Sequence, residues 1–261
     1  MNSSPSRNVV VGFPPVKEEE LLMTMQVGMV GTDGVLIASD TKWYKVPRVS
    51  DEFWMGDKPR VSFFSPKIII DYQRGIAISR ANNMEVAEEV AKQIIEHLPQ
   101  GTNLETAIQE IGERVLESAQ WDRLEVQCMV AFSKPTPELF LFTSGPTREG
   151  KRGAIVRKME RYVFAGDNVN PATFWVERYY RRLPVKKLIP LAAHFIASAS
   201  KLSSAAIDGL EIVFCDKSGP HRLDADSIGK LQAMPDEWDK QIENLFLSHE
   251  QEFTYAPNVI R

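Results

Sequence analysis

The chain has 261 residues, 43% of them apolar and 25% charged, with a formal net charge of −4. That balance excludes disordered, fibrous and membrane-spanning classes, and the acidic excess argues against nucleic acid, because phosphate binding needs a basic face. The two cysteines, Cys128 and Cys215, each sit in an apolar strand-like run, which suits small buried residues in a reducing cytosol better than a disulfide framework.

Residues 1–22 are polar and Pro-containing, then charged at Lys17, Glu18, Glu19 and Glu20, so this stretch does not pack on its own. It lacks the apolar centre of a secretory signal. It reads either as a propeptide ending before Thr24 or as an extension mis-called upstream of a true start at Met23. The Lys-Glu-Glu-Glu run is what a purine-rich ribosome-binding site would encode. From Thr24 an alternating run places Met25, Val27 and Met29 on one side, then a turn from Gly31 to Gly34 leads into apolar residues 35–38, a strand pair. Residues 67–70 and 75–79 give a second pair. Helical spacing over 83–98 and 104–119 follows, with Asn82 or Asn83 and Thr102 as N-caps and Pro99 and Gly101 between.

Strands are expected over 125–132, 138–143 and 161–165, helices over 171–181 and 185–200, and a strand over 210–215. The stretch 188–199 contains His194 and is too short to cross a bilayer. It reads as a core helix, with His194 a satisfied core histidine. From Pro235 to Arg261 the tail reads as one helix and a loose end. The order is strand pairs, two helices, strand pairs, two helices, strand. It suits an α+β, four-layer αββα sandwich of two antiparallel sheets with a helix pair on each outer face.

Thr24, the segment Gly34 to Asp40 (GVLIASD), the segment from Lys67 (KIII) and this element order together resemble the proteasome-type N-terminal nucleophile hydrolases, including the bacterial proteasome-like threonine peptidases. The interval from Thr24 to Asp40 matches the family without a gap. That from Asp40 to Lys67 is longer, which implies an insertion at about 43–60 within one domain spanning 24–261. The resemblance implies a threonine peptidase that cleaves amide bonds through an acyl-enzyme, acts on a peptide or unfolded protein, assembles as a homo-oligomeric ring or spiral in the cytoplasm, and uses no metal or cofactor. No ATPase partner is specified by the sequence.

In that chemistry a terminal Thr24 amine, with a reference pKa of roughly 7.7–8.0, takes the hydroxyl proton. Lys67 favours alkoxide character at Thr24, and Asp40 holds Lys67 charged and oriented. Acyl transfer also needs backbone donors for an oxyanion, and the resemblance places that donor near Ser79, with Ser204 and Ser203 as supporting residues. The chain departs from the family at three places. Ser79 and Arg80 replace a Gly pair; Ala165 to Asn168 lack a serine; and Ser203 and Ser204 stand where an Asp is usual, with Asp208 slightly further on. These departures keep two other readings open, an inactive scaffold subunit of the same fold and a non-proteolytic amidohydrolase. Arg80 suits a surface salt bridge more than an acidic-side-chain pocket. Trp43, Tyr44, Phe53 and Trp54 suit an interaction surface, and Arg178, Arg181, Arg182, Lys186 and Lys187 a solvated helix face.

Overall fold

The computed structural model describes residues 24–45, 61–99, 103–118, 125–146, 152–203 and 206–248. Strands β1 (Met25–Val30) and β2 (Gly34–Ser39) form an antiparallel hairpin, closed where the Gly31 N–H donates to the Gly34 carbonyl at 2.7 Å. Every residue of both strands is buried, because the hairpin is covered on both faces. Met25, Val27 and Met29 pack against helices, whereas Gln26 and Gly28 face the opposite sheet. At Gly28 the sheets approach so closely that a Cβ would lie 2.7 Å from Leu139 Cδ2.

The remaining elements in chain order are β3 (Lys42–Lys45), β4 (Val61–Phe64), β5 (Ile68–Asp71), β6 (Ile76–Ser79), β7 (Ala81–Asn82), α1 (Met84–His97), α2 (Leu104–Ser118), β8 (Val126–Phe132), β9 (Glu138–Pro146), β10 (Arg152–Met159), β11 (Tyr162–Gly166), α3 (Thr173–Tyr179), α4 (Val185–Leu202), β12 (Glu211–Asp216), β13 (Gly219–Arg222) and α5 (Ala225–Ser248). One sheet runs β11-β1-β2-β12-β13 and the other β10-β9-β8-β6-β5, with β7 also on β8. Every pairing is antiparallel. Between the sheets lies a layer that includes Ile37, Ile68, Met129, Leu139 and Val213. Helices α1 and α2 cover the six-stranded sheet through Val90, Ile94, Ile108 and Ile111. Helix α4 covers the five-stranded sheet through Leu188, Phe195 and Ile196. This is the expected αββα sandwich.

Local signals account for the helix starts. Asn83 caps α1 by accepting from the Val86 N–H at 3.0 Å. At α2 the cap is Asn103, whose Oδ1 accepts from Glu105 N–H at 3.0 Å; the expected cap Thr102 lies outside the described residues. Helix α4 borrows its cap from the β1–β2 turn, where Asp33 Oδ1 accepts from Val185 N–H at 2.7 Å. Six elements depart from the expectations. The β3–β4 ribbon, β7, β10 and β13 were not foreseen, and α5 begins well before Pro235, which lies inside it. Its true start is set by Asp224, which accepts from Ser227 N–H at 2.7 Å.

Candidate active site at one end of the sandwich

The β1–β2 register brings Thr24 and Asp40 together. Gln26 pairs with Ser39, so the residue just before β1 and the residue just after β2 fall at the same end of the hairpin. The Met25 N–H donates to Asp40 Oδ1 at 2.9 Å and the Asp40 N–H to the Met25 carbonyl at 3.1 Å. Lys67 arrives from the other sheet as the residue before β5. Its Nζ lies 2.9 and 2.8 Å from the two Asp40 oxygens and 3.1 Å from Thr24 Oγ1. Asp40 and Lys67 are fully buried and Thr24 is 4% exposed. The three residues singled out by the sequence therefore form one contact group.

Burial pushes the Asp40 carboxyl above its ordinary range and the Lys67 ammonium below its own, and the close pairing opposes both shifts. Trp43 lies over this pair, with Lys67 Nζ 4.8 Å from the ring centroid, and donates its indole N–H to the Ser65 carbonyl at 3.2 Å. Trp43 is thus a buried wall of the site and not part of an interaction surface. Phe53 and Trp54 lie outside the described residues.

Thr24 is held by its main chain as well. The Asp167 N–H donates to the Thr24 carbonyl at 2.8 Å, in the turn where Gly166 has φ +87°. A Cβ at Gly166 would lie 1.8 Å from that carbonyl oxygen, so the close approach needs glycine. Gln127 fixes the turn by accepting from the Gly166 N–H at 2.7 Å. This is the turn, Ala165 to Asn168, in which the resemblance leads one to expect a serine and the chain has none.

The other expected residues sit elsewhere. Ser79 Oγ donates to Gln26 Oε1 at 2.7 Å and accepts from the Met129 N–H at 3.2 Å, inside a network that joins the sheets. Gln26 in turn donates to Ser39 Oγ and to the Arg80 carbonyl. The Arg80 N–H is spent on the Lys67 carbonyl at 3.0 Å. The Arg80 guanidinium is mostly buried, pairing with Glu88 at 3.2 Å and donating to the Pro66 carbonyl at 2.8 Å. Ser203 closes α4 and Ser204 lies outside the described residues. Asp208 takes part through its carbonyl, which accepts from Thr41 and Lys42 N–H next to Asp40.

One residue at the site was missed. Glu211, at the head of β12, is buried and accepts from the N–H groups of Lys67 at 2.8 Å and Ile68 at 3.1 Å. A carboxylate between Leu210 and Ile212 in an apolar run was the available signal. His194 also differs from expectation. It is buried between Trp175 and Trp238, but its Nδ1 has no partner among the described residues, and burial pushes its pKa down.

No protein-family model matches the chain, and no curated protein does. Among solved structures, the chain is similar to Anbu (ancestral β-subunit) from Yersinia bercovieri, with TM-score 0.62 and 14% identity over 85% of this chain and 97% of that one. It is similar to the Gly-1 mutant of Anbu from Hyphomicrobium sp. strain MC1, with TM-score 0.62 and 15% identity over 89% and 100%. The Anbu complex from Pseudomonas aeruginosa, a helical assembly, gives TM-score 0.61 and 14% identity over 91% and 100%. The fold is that of the proteasome-type N-terminal nucleophile hydrolases. Within that fold, the contact group of Thr24, Asp40 and Lys67 lies where a hairpin end of one sheet meets a strand start of the other.

Proposed function

We propose that the protein is a threonine-type peptide hydrolase whose nucleophile is Thr24. The observation that carries this reading is the Lys67 ammonium bridging the Thr24 hydroxyl and the Asp40 carboxylate in a buried setting. The chemistry requires Thr24 to be the chain terminus, so a cut after Met23, or removal of an initiating Met23, precedes activity. The free amine takes the hydroxyl proton, Oγ1 attacks the peptide carbonyl carbon, and an ester forms as the C–N bond breaks. The same proton passes to the leaving amine, and water then hydrolyses the ester. Lys67 disfavours a resting positive charge on the amine and stabilises the developing alkoxide. Asp40 keeps Lys67 in place.

Incubation with a β-lactone probe, followed by adduct mapping, tests the assignment. The adduct is expected on Thr24 in the mature protein and absent from Thr24→Ala. An epoxyketone consumes hydroxyl and amine together, so its adduct also reports the free terminus. A mature chain beginning at Thr24 that takes neither probe refutes the reading. Self-assembly is part of the proposal, as the Anbu complex of P. aeruginosa forms a helical assembly, and native mass determination tests it.

A further inference from the structure

Glu211, at the head of β12, and Arg222, at the end of the edge strand β13, reach across from the five-stranded sheet to the first residues of β5 in the other sheet. Glu211 Oε2 accepts from Lys67 N–H and Ile68 N–H, and Arg222 Nη2 donates to the Ile68 carbonyl at 2.6 Å. Glu211 Oε1 lies 2.7 Å from Arg222 Nη1, an ion pair outside linear hydrogen-bond geometry. The two side chains therefore engage both the N–H and the C=O of Ile68 and the N–H of Lys67. In effect they take the place of a strand partner at this end of β5, which among the described residues is an edge strand with its other side paired to β6. Through its register with Ser39, Glu211 also sits beside the residue that precedes Asp40.

We infer that Glu211, clamped by Arg222, is a positioning residue that fixes the backbone of Lys67 and so aims its ammonium at Thr24 and Asp40. This rests on the hydrolase reading for its consequence on rate but not for its geometry. Only an ionised carboxylate offers acceptors on both sides, toward the two N–H groups and toward the guanidinium. Glutamine has one oxygen and must leave one side unserved. The charged groups facing Lys67 are Asp40, Glu211 and Arg80; the two carboxylates favour its protonated form and Arg80 opposes it.

The test compares Glu211→Gln, Glu211→Asp and Arg222→Met with the unsubstituted protein, each checked for cooperative thermal unfolding. Probe labelling of Thr24 is read as a function of pH, and the Lys67 side-chain amine by NMR of protein carrying ¹⁵N-lysine. Misaiming by a fraction of an ångström to 1 Å should slow labelling about ten- to hundredfold in Glu211→Gln. Its alkaline limb should move to lower pH, because one charge holding the Lys67 proton is gone. Glu211→Asp should recover the position of that limb, and Arg222→Met should slow labelling less. A residue that merely stabilises the fold would lower the unfolding temperature and leave the limb in place. Labelling within twofold of the parent at every pH, in Glu211→Gln or, should that chain not fold, in Arg222→Met, overturns the inference. If the parent itself takes no label, the hydrolase reading fails, and the Lys67 resonance decides the positioning claim alone: a shift in Glu211→Gln supports it, and an unmoved resonance overturns it.

Discussion

Removing the Lys67 cation without removing Asp40 should be among the most damaging single changes in the molecule. Asp40 is fully buried and receives two hydrogen bonds from Lys67 Nζ, so Lys67→Met leaves a carboxylate in the sandwich held only by the backbone N–H groups of Met25 and Lys42. Stranding one partner of such a pair costs about 3–5 kcal/mol. The loss has a pH signature. Burial already raises the Asp40 pKa, and without Lys67 it rises further, so the variant should recover stability as the pH falls and Asp40 takes up a proton. The double variant Lys67→Met, Asp40→Asn removes both charges and should return to within about 1 kcal/mol of the parent, since buried pairs add little over neutral groups of similar volume.

Chemical denaturation of the parent, both single variants and the double variant at pH 7 gives the coupling energy directly. A value of about 5 kcal/mol or more is expected, because each single variant strands a buried charge and the double variant strands neither. Probe labelling should be abolished in the double variant although its stability returns, which separates the chemical use of the pair from its structural one. A loss below about 1 kcal/mol for Lys67→Met, or a double variant as unstable as the two singles added, would refute the reasoning.

Gly166→Ala should cost about 3 kcal/mol or more, combining left-handed strain with a Cβ forced onto the Thr24 carbonyl, and should block labelling; thermal unfolding and adduct yield check both. His194→Phe should raise stability by about 1 kcal/mol at neutral pH by removing the unpartnered Nδ1. Burial lowers the His194 pKa below its ordinary 6.5, so the native state binds fewer protons than the unfolded one and stability falls as pH drops below 6.5; unfolding temperatures between pH 7.5 and 5 should lose that slope in the variant. The labelling rate of the mature protein should fall as pH rises through the Lys67 pKa, which burial places below the ordinary 10.5, and a pH–rate profile with no alkaline limb below that value would contradict the role given to Lys67.

The legible parts of this chain were those with a strong period or a cap. The alternation of Met25, Val27 and Met29 and the apolar faces of α1 and α2 map directly onto buried positions. Strand β10 escaped because its edge position leaves Arg157 and Ile155 exposed beside buried Ala154 and Val156, so charge masks the alternation. At the site, Thr24, Asp40 and Lys67 were singled out by the family resemblance, and each proves to flank a strand end. The resemblance puts an oxyanion donor near Ser79, whose hydroxyl serves Gln26 and Met129 instead, and Glu211 went unseen. Its role arises from a contact 144 positions away in the chain, between sheets, which no local pattern encodes.

The energetics of the site bear on whether the fold serves catalysis or only assembly. A fully buried Lys–Asp pair gives little stability that a neutral apolar pair of the same shape would not, and each of its partners becomes a liability if the other is lost. Around it the chain adds a second buried carboxylate at Glu211, an aromatic roof at Trp43 and a glycine turn that admits only hydrogen beside Thr24. None of these groups faces outward, so none contributes a surface through which a scaffold subunit would bind its neighbours. What they share is contact with Thr24 or with Lys67, the residue whose ammonium reaches the Thr24 hydroxyl. Groups with shifted proton affinity gathered on a single nucleophile are the arrangement that acyl transfer requires. A scaffold of this fold would gain stability by replacing them with apolar side chains, and their presence together at one end of the sandwich favours the proposed enzyme.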